Sequence, residues 1–320
     1  MLVALAGGVG ASKFLRGLVS VWDPKDLMVI VNTADDIRMH GLNVSPDLDS
    51  VVYRLAGVGD EGRGWGRANE TWSVLNTLAS LGEPGWYGLG DRDIAAQLIR
   101  TRLMAAGLSL SQATAELCKR FGITSILVPM TNDVVETRIE VALPAGEREE
   151  IGFQEYWVKR KAEDEVKAVW FRGIDKAKAA PGILEAIRNA RAVIFCPSNP
   201  VVSISPILSV PSVRETIVAA RCPRLSITPI IAGAPVRGMA HKLLPAWGVE
   251  VSARGVAGLY SELVDYFVLD EADALQAEDV AALGIEPVVT RTLMSTPSAE
   301  RTLARTVVDV LLGTETMGHR

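Results

Sequence analysis

Residues 1–33, MLVALAGGVGASKFLRGLVSVWDPKDLMVIVNT, decide the fold of this chain. MLVALA indicates a short buried strand, GGVGAS a turn, and KFLRGLVSVW carries apolar residues at helical spacing. DLMVIVNT then predicts a second strand. A strand, turn, helix and strand in this order form a parallel βαβ unit, because parallel neighbours need a crossover connection. We therefore predict an α/β fold.

The same pattern recurs further along the chain. Three more segments predict strands (TSILVPM, RAVIFCPSNP and RLSITPIIAG), and two predict helices (PGILEAIRNA and VPSVRETIVAA). Their near-continuous apolar strands suit a sheet that is covered on both faces. We predict a Rossmann-like core of three layers around a parallel sheet, built from residues 1–60 and 170–320. Residues 61–169, rich in glycine, tryptophan and charge, are predicted to form an inserted smaller α/β subdomain.

Composition excludes several classes of protein. Of the 320 residues 48% are hydrophobic and 22% charged, with a net charge of −5, so a packed core is expected and general binding to nucleic acid or anionic membranes is not. No apolar run approaches the ~20 residues of a membrane span, and no signal peptide is predicted. The three cysteines have no CxxC spacing, which favours a reducing cytoplasm over disulfides or a zinc site.

The glycine turn after the first strand is a candidate phosphate site. Gly7, Gly8 and Gly10 place main-chain N–H groups at the start of a helix, where its dipole favours an anion. Lys13 adds a positive charge. The spacing matches neither the dinucleotide fingerprint nor the Walker loop. A tight βα turn that needs glycine for geometry alone is the alternative interpretation.

Four aspartates, Asp35, Asp36, Asp47 and Asp49, lie within fifteen residues after the second strand. Ligands of parallel sheets bind at the carboxyl ends of the strands, so NTADD and the glycine turn are expected to converge. Carboxylates repel a phosphate unless a cation lies between, and Mg²⁺ uses one or two carboxylates together with phosphate oxygens. Helix caps and turns are the alternative, and they account well for Ser45 and Asp47.

A polar loop follows the strand RAVIFC. Ser198, Asn199 and Pro200 lie at the carboxyl end of this strand. Their side chains and loop N–H groups suit a phosphate, a ribose or a base edge. An ordinary Ser/Asn/Pro turn is the alternative.

Aromatic residues concentrate in the predicted insertion. Trp65, Trp72, Trp86 and Tyr87 lie among glycines and charges instead of along an apolar stripe. Such rings can stack on a planar ligand, and they can equally pack a small satellite core. The sequence leaves these two interpretations open.

Six segments, in this order, resemble the 2-phospho-L-lactate transferase family, whose bacterial branch is called phosphoenolpyruvate transferase: GGVGASKFLRGL, NTADDIRMHGLNVSPDLDSVVYRLAG, RGWGRANETW, WYGLGDRD, PSNPVVSISPIL and TPIIAGAPVRGMA. The family serves biosynthesis of the deazaflavin coenzyme F-420. The resemblance implies that a GDP-linked three-carbon acid (lactyl, enolpyruvyl or glyceryl) donates its phosphoryl group to the terminal ribityl hydroxyl of the deazaflavin Fo. GMP leaves, the product lacks its glutamate tail, and Mg²⁺ is required.

The resemblance also implies roles for residues. Asp35 is the expected catalytic carboxylate, as metal ligand or as base, with Asp36 and Asp49 as further metal ligands. The expected nucleotide and substrate contacts are Gly7, Gly8, Gly10, Lys13, Asn32, Thr33, Ser198, Asn199 and Pro200. Trp65 and Trp86 of the insertion are expected to bind the deazaflavin. A cytoplasmic homodimer is expected.

Two departures from the family pattern and two rival functions bear on this hypothesis. Ala11 and Ala34 stand where the family often has glycine.

A related family of the gluconeogenesis-factor type shares the loop and fold but is a non-enzymatic regulator that binds a nucleotide sugar. RGWGRANETW and GLGDRD favour the transferase. A nicotinamide dehydrogenase is disfavoured because its glycine fingerprint is missing.

Overall fold

A seven-stranded parallel sheet runs through the middle of the molecule. The computed structural model describes residues 1–144 and 146–317, with side chains to residue 313. Its strands are β1 (Leu2–Ala6), β2 (Leu27–Val31), β3 (Ile37–Met39), β4 (Leu42–Val44), β5 (Ile126–Pro129), β6 (Glu136–Ala142), β7 (Arg148–Gly152), β8 (Val166–Arg172), β9 (Ala192–Phe195), β10 (Arg224–Ile227), β11 (Ile230–Ile231), β12 (Ala234–Pro235), β13 (Tyr266–Asp270) and β14 (Glu286–Thr290). The central sheet has the order β14-β13-β10-β9-β1-β2-β5, and every pair is parallel.

Helices connect these strands and cover both faces of the sheet. They are α1 (Gly8–Leu18), α2 (Pro46–Leu55), α3 (Ser73–Ser80), α4 (Asp91–Ala105), α5 (Leu110–Arg120), α6 (Ile183–Arg188), α7 (Ser205–Ser209), α8 (Val213–Val218), α9 (Ala240–Ala246), α10 (Ala253–Leu259), α11 (Ala277–Ala281) and α12 (Pro297–Met317). Short helical turns occupy Pro24–Asp26, Glu155–Lys159, Ile174–Lys176, Pro200–Ile204 and Glu271–Gln276.

The opening βαβ unit has the predicted form. Every residue of β1 and β2 is buried, and Leu2 to Ala6 pair in register with Leu27 to Val31. Alternate residues of β1 enter two different apolar cores, Val3 on one face of the sheet and Leu2 and Ala4 on the other. Two buried faces explain the continuous apolar content of the strand. The predicted α/β fold with a parallel sheet is confirmed.

The predicted insertion at residues 61–169 does not form one unit, because β5 lies inside this range and pairs parallel to β2 at the edge of the central sheet. Its apolar side chains join the two cores of that sheet, Val128 on one face and Leu127 on the other. The inserted material is therefore split in two. A mostly helical part precedes β5, and a three-stranded antiparallel sheet of order β7-β6-β8 follows it.

Among the described residues, none of the helices combines the length and the apolar character needed to cross a membrane. The three cysteines, Cys118, Cys196 and Cys222, are free thiols, and the first two are buried. The predicted cytoplasmic location stays a prediction.

Candidate active site

The glycine turn is held by contacts within the protein. The Gly7 N–H donates to Ser198 Oγ at 3.1 Å, and the Gly8 N–H donates to the Asp47 carboxylate. A Cβ on Gly7 would lie 2.5 Å from the Cβ of Ser203, and one on Gly10 would lie 2.2 Å from a main-chain oxygen. Gly8 has a φ of +68°, which favours glycine. Close approach and backbone conformation thus require these glycines, and phosphate binding by them stays a prediction.

The polar loop after β9 packs directly against this turn. Ser198 supplies the acceptor for Gly7. Asn199 Oδ1 accepts from the next N–H groups, at 3.0 Å from Val201 and 3.4 Å from Val202, and caps the turn that Pro200 begins. The structure therefore brings the two predicted loops together at the carboxyl edge of the sheet.

Lys13 has a hydrogen-bond partner outside its own helix. Its Nζ donates to the carbonyl of Met294 at 3.1 Å, in the segment before α12. The ammonium thus already has a main-chain partner. Its predicted contact with a nucleotide is untested.

Two buried carboxylates form the centre of the site. Asp35 and Asp47 are only 5% and 8% exposed. Thr137 donates its hydroxyl to Asp35 Oδ1 at 2.8 Å, and Asn32 donates its amide to Asp47 Oδ2 at 2.9 Å. Burial and then the charge of Asp47 raise the pKa of Asp35 well above its usual range, and burial raises the pKa of Asp47 to about 6. Each carboxylate of this pair therefore disfavours the ionised form of the other, in a medium that screens charge poorly.

Two oxygen atoms near this pair have no hydrogen-bond partner. Asp36 Oδ2 accepts from the Ser45 hydroxyl at 2.6 Å, whereas Asp36 Oδ1 is buried and unpartnered. The hydroxyl oxygen of Thr33 is also buried and has no hydrogen-bond partner. Burial raises the pKa of Asp36 well above its usual range. Because buried polar atoms are normally satisfied, these two oxygens are candidate contacts for a ligand.

Asp49, a predicted metal ligand, has a different role in the structure. Arg100, which is fully buried, forms an ion pair with both of its oxygens, and Gln97 donates to Oδ2 at 2.7 Å. In the described part of the chain, no group of three or more histidine, cysteine, aspartate or glutamate side chains is placed to share a metal. The predicted trio Asp35, Asp36 and Asp49 is not brought together.

Asp47 is the functional candidate that the sequence prediction missed. Asp47 and Asp49 both lie in the first turn of α2. Two residues apart on a helix are separated by about 200° around its axis, so they face opposite directions. One of them therefore had to turn away from Asp35, and their spacing of two residues was the available signal.

The side-chain chemistry of this centre fits Mg²⁺. The available donors are the carboxylate oxygens of Asp35 and Asp47. Magnesium prefers such oxygens and takes one or two carboxylates, with water and phosphate completing its shell. A cation between the two carboxylates would also offset their repulsion.

The aromatic residues gather in one region beside this centre. Trp65 and Trp72 meet edge to face at 6.3 Å, and the guanidinium of Arg63 lies 5.4 Å and 5.2 Å from their rings. Trp86 packs against Tyr87 at 5.6 Å, and both join a satellite core around the β3–β4 hairpin. Trp65 is 40% exposed. The structure thus supports a packing role for Trp86, while the exposed face of Trp65 is free for a ligand.

Fold and site together define a Rossmann-like α/β protein with an acidic, oxygen-rich centre at the carboxyl edge of its sheet and an aromatic segment beside it. The profile of the family 2-phospho-L-lactate transferase CofD matches residues 2–292. This chain belongs to that family, which serves F-420 biosynthesis.

Curated relatives agree with this assignment, and a solved structure agrees with the fold. Phosphoenolpyruvate transferase from Kitasatospora aureofaciens is 47% identical over 96% of both chains. Phosphoenolpyruvate transferase from Streptomyces coelicolor is 49% identical over 89% of both chains, and that from Mycolicibacterium smegmatis is 38% identical over 97% of this chain and 98% of its own. A crystal structure of a UPF0052 family member from Bacillus halodurans has a TM-score of 0.63 at 17% identity, covering 96% of this chain and 98% of its own, and it supports the fold alone.

Proposed function

We propose that this protein transfers a phospho-three-carbon acid from a GDP-linked donor to the terminal ribityl hydroxyl of the deazaflavin Fo. The new phosphodiester is the F-420 precursor without glutamate, and GMP is the leaving group. Family membership supports a transferase. The relatives named phosphoenolpyruvate transferase favour the enolpyruvyl form of the donor.

The single observation that carries this proposal is the buried carboxylate pair of Asp35 and Asp47 beside the glycine turn. Two ionised groups that repel each other reduce the stability of the fold, so an arrangement of this kind indicates a role for the charge. Phosphoryl transfer requires positioning and neutralisation of charge more than covalent catalysis. A carboxylate pair suited to a cation, at the edge where nucleotides bind in parallel sheets, meets that requirement.

Asp35 and Asp47 are the residues that we propose to hold Mg²⁺. When bound, the ion supplies neutralisation of the developing charge on the phosphate oxygens. Thr137 and Asn32 fix the orientation of the two carboxylates through their hydrogen bonds. The proposed role of Asn32 is therefore to position Asp47, and no direct contact of Asn32 with a substrate is needed.

Asp36 is the residue that we propose to accept the proton of the ribityl hydroxyl as the new oxygen–phosphorus bond forms. Its Oδ1 has no hydrogen-bond partner, and Ser45 holds the other oxygen in place. Burial raises the pKa of this carboxyl, which makes it a stronger base than an exposed aspartate. The hydroxyl of Thr33 is free to donate to a phosphate oxygen.

Calorimetry with separate ligands tests the proposal. Fo and GDP are titrated separately, each with and without Mg²⁺, and a UDP-sugar is the control. We expect Fo to bind and GDP binding to depend on Mg²⁺. Turnover with enolpyruvyl and lactyl donors then identifies the acid. Binding of the UDP-sugar without binding of Fo would overturn the proposal and favour the regulatory, non-enzymatic alternative.

We also propose that the protein is a homodimer, as the family resemblance implies. Light scattering on purified protein at assay concentrations measures the mass directly. The expected mass is twice the 34.4 kDa of one chain. A mass of one chain would contradict this assembly.

A further inference from the structure

Two helices beside the aromatic segment lack a capping side chain of their own. Trp72 is the N-cap residue of α3 and Gly90 that of α4, and neither provides a side-chain hydrogen bond to its helix. The first N–H groups of a helix have no partner within the helix, so they need an acceptor from elsewhere.

Each helix is capped by a carboxylate from the segment that leads into the other. Asp91, at the start of α4, accepts from the N–H groups of Ser73 and Val74 at 3.2 and 3.0 Å. Glu70, just before α3, accepts from the N–H groups of Arg92 and Asp93 at 2.8 and 2.9 Å. We call Glu70 and Asp91 the carboxylate clamp.

Further contacts strengthen the clamp. The hydroxyl of Thr71 donates to Asp91 Oδ2 at 2.6 Å, and the N–H of Asp91 donates to the carbonyl of Thr71 at 2.9 Å. A Cβ on Gly90 would lie 2.2 Å from the carboxyl carbon of Glu70, so only glycine allows this approach. Gly88 allows a similar approach by Trp65, whose ring would lie 3.0 Å from a Cβ there.

The clamp joins the two stretches that carry the aromatic residues. Trp65 lies shortly before Glu70 in the sequence and Trp72 shortly after it. Trp86 and Tyr87 lie just before Asp91. Of the eight residues of α3, only Leu75 is buried. Apolar packing alone therefore holds this helix weakly in place. The two carboxylates therefore contribute four of the hydrogen bonds that hold the aromatic stretches together.

We propose that Glu70 and Asp91 are positioning residues for the acceptor: they hold the aromatic segment in the arrangement that receives a planar ring. This inference rests on the proposed function, in which the acceptor is the deazaflavin Fo. Neither residue needs to touch the acceptor or the reacting atoms. Both act through the tryptophans whose stretches they join.

Glu70→Ala and Asp91→Ala test the clamp, and Ser109→Ala is the matched control. Ser109 caps α5 through the N–H of Gln112, so its loss removes a helix cap that has no link to the aromatic segment. We expect each clamp variant to raise the Kd and KM for Fo about tenfold, equivalent to about 1.4 kcal/mol. The KM for the donor and the kcat at saturating Fo should change by less than about twofold, and Glu70→Gln and Asp91→Asn should recover part of the affinity.

Near-ultraviolet circular dichroism of the tryptophans provides a second readout that needs no substrate. The clamp variants should change this signal and Ser109→Ala should not, although all three should lower the melting temperature. Unchanged dichroism and unchanged Fo affinity in both alanine variants would overturn the inference. An equal rise in the KM for Fo and the KM for the donor would also overturn it. If wild-type protein binds no Fo, the proposed function fails, and unchanged dichroism in the clamp variants would then overturn the clamp on its own.

Discussion

Replacing Asp35 by asparagine should make the ligand-free protein more stable. Asparagine keeps the shape of the side chain, and its oxygen can still accept from the Thr137 hydroxyl, 2.8 Å away in the native site. The negative charge that is buried next to Asp47 disappears. A charge within about 4–6 Å of a carboxylate shifts its pKa by about 1–3 units, upward when the neighbour is a like charge, and each unit corresponds to about 1.4 kcal/mol. We expect the free energy of unfolding at pH 7.5 to rise by about 2 kcal/mol, which raises the melting temperature by about 3 °C.

The pH dependence gives the sign of the effect. Burial and repulsion raise the folded-state pKa of Asp35 above 3.8, and burial raises that of Asp47 to about 6. Between the unfolded and folded pKa values the folded wild-type protein binds more protons than the unfolded chain, so its stability falls as pH rises. The advantage of Asp35→Asn should therefore be largest above pH 6 and shrink as pH falls toward 4.

Thermal unfolding between pH 4 and 8 measures this difference. Asp309→Asn, which removes an exposed charge from α12, is the control and should change stability by less than about 0.5 kcal/mol. A variant less stable than wild type at pH 7.5, or an advantage that does not vary with pH, would refute the repulsion argument. In the proposed function the same variant should lose at least about a hundredfold in turnover.

Further predictions follow from close contacts and buried charge. Gly10→Ala should lower the free energy of unfolding by about 1–3 kcal/mol, because its Cβ would overlap a carbonyl of the facing loop. Gly258→Ala, with open space around it, is the control. Equal midpoints of urea unfolding for the two variants would contradict the argument. Arg100→Met should cost about 3–5 kcal/mol by leaving Asp49 buried and unpaired, and adding Asp49→Leu should recover more than half of this in urea unfolding. Mg²⁺ should raise the melting temperature of wild type at pH 7.5 and leave Asp35→Asn unchanged; an equal rise in both would place the ion elsewhere.

The central sheet could be predicted because its signals are local. Apolar runs of strand length, a glycine turn and a helical period lie next to each other in residues 1–33, and their order requires a parallel pair. The range 61–169 was wrong as a single insertion because β5 is a four-residue strand. The strand itself was predicted as TSILVPM, with the continuous apolar content of the central strands, but the range 61–169 enclosed it. Leu127 and Val128 are buried in the two cores of the central sheet, which places β5 there.

The site could be predicted in place but not in detail. Parallel strands end at one edge, so the convergence of NTADD with the glycine turn followed from the fold class. The sequence could not show that Asp49 is paired with Arg100, because Arg100 lies 51 residues away on α4. The exchange of caps between Glu70 and Asp91 joins residues about twenty positions apart, beyond any local pattern of capping.

The sequence by itself determined the element types, the parallel order of the first strands, the edge of the sheet where charge gathers, and the family. Tertiary structure alone decided which carboxylate is neutralised by Arg100, which pair stays unbalanced beside the glycine turn, and which atoms of Thr33 and Asp36 are left without partners. The physical reason is that periodicity and turn chemistry act over a few residues, whereas burial and electrostatic pairing depend on neighbours that only the packed fold brings within a few ångströms.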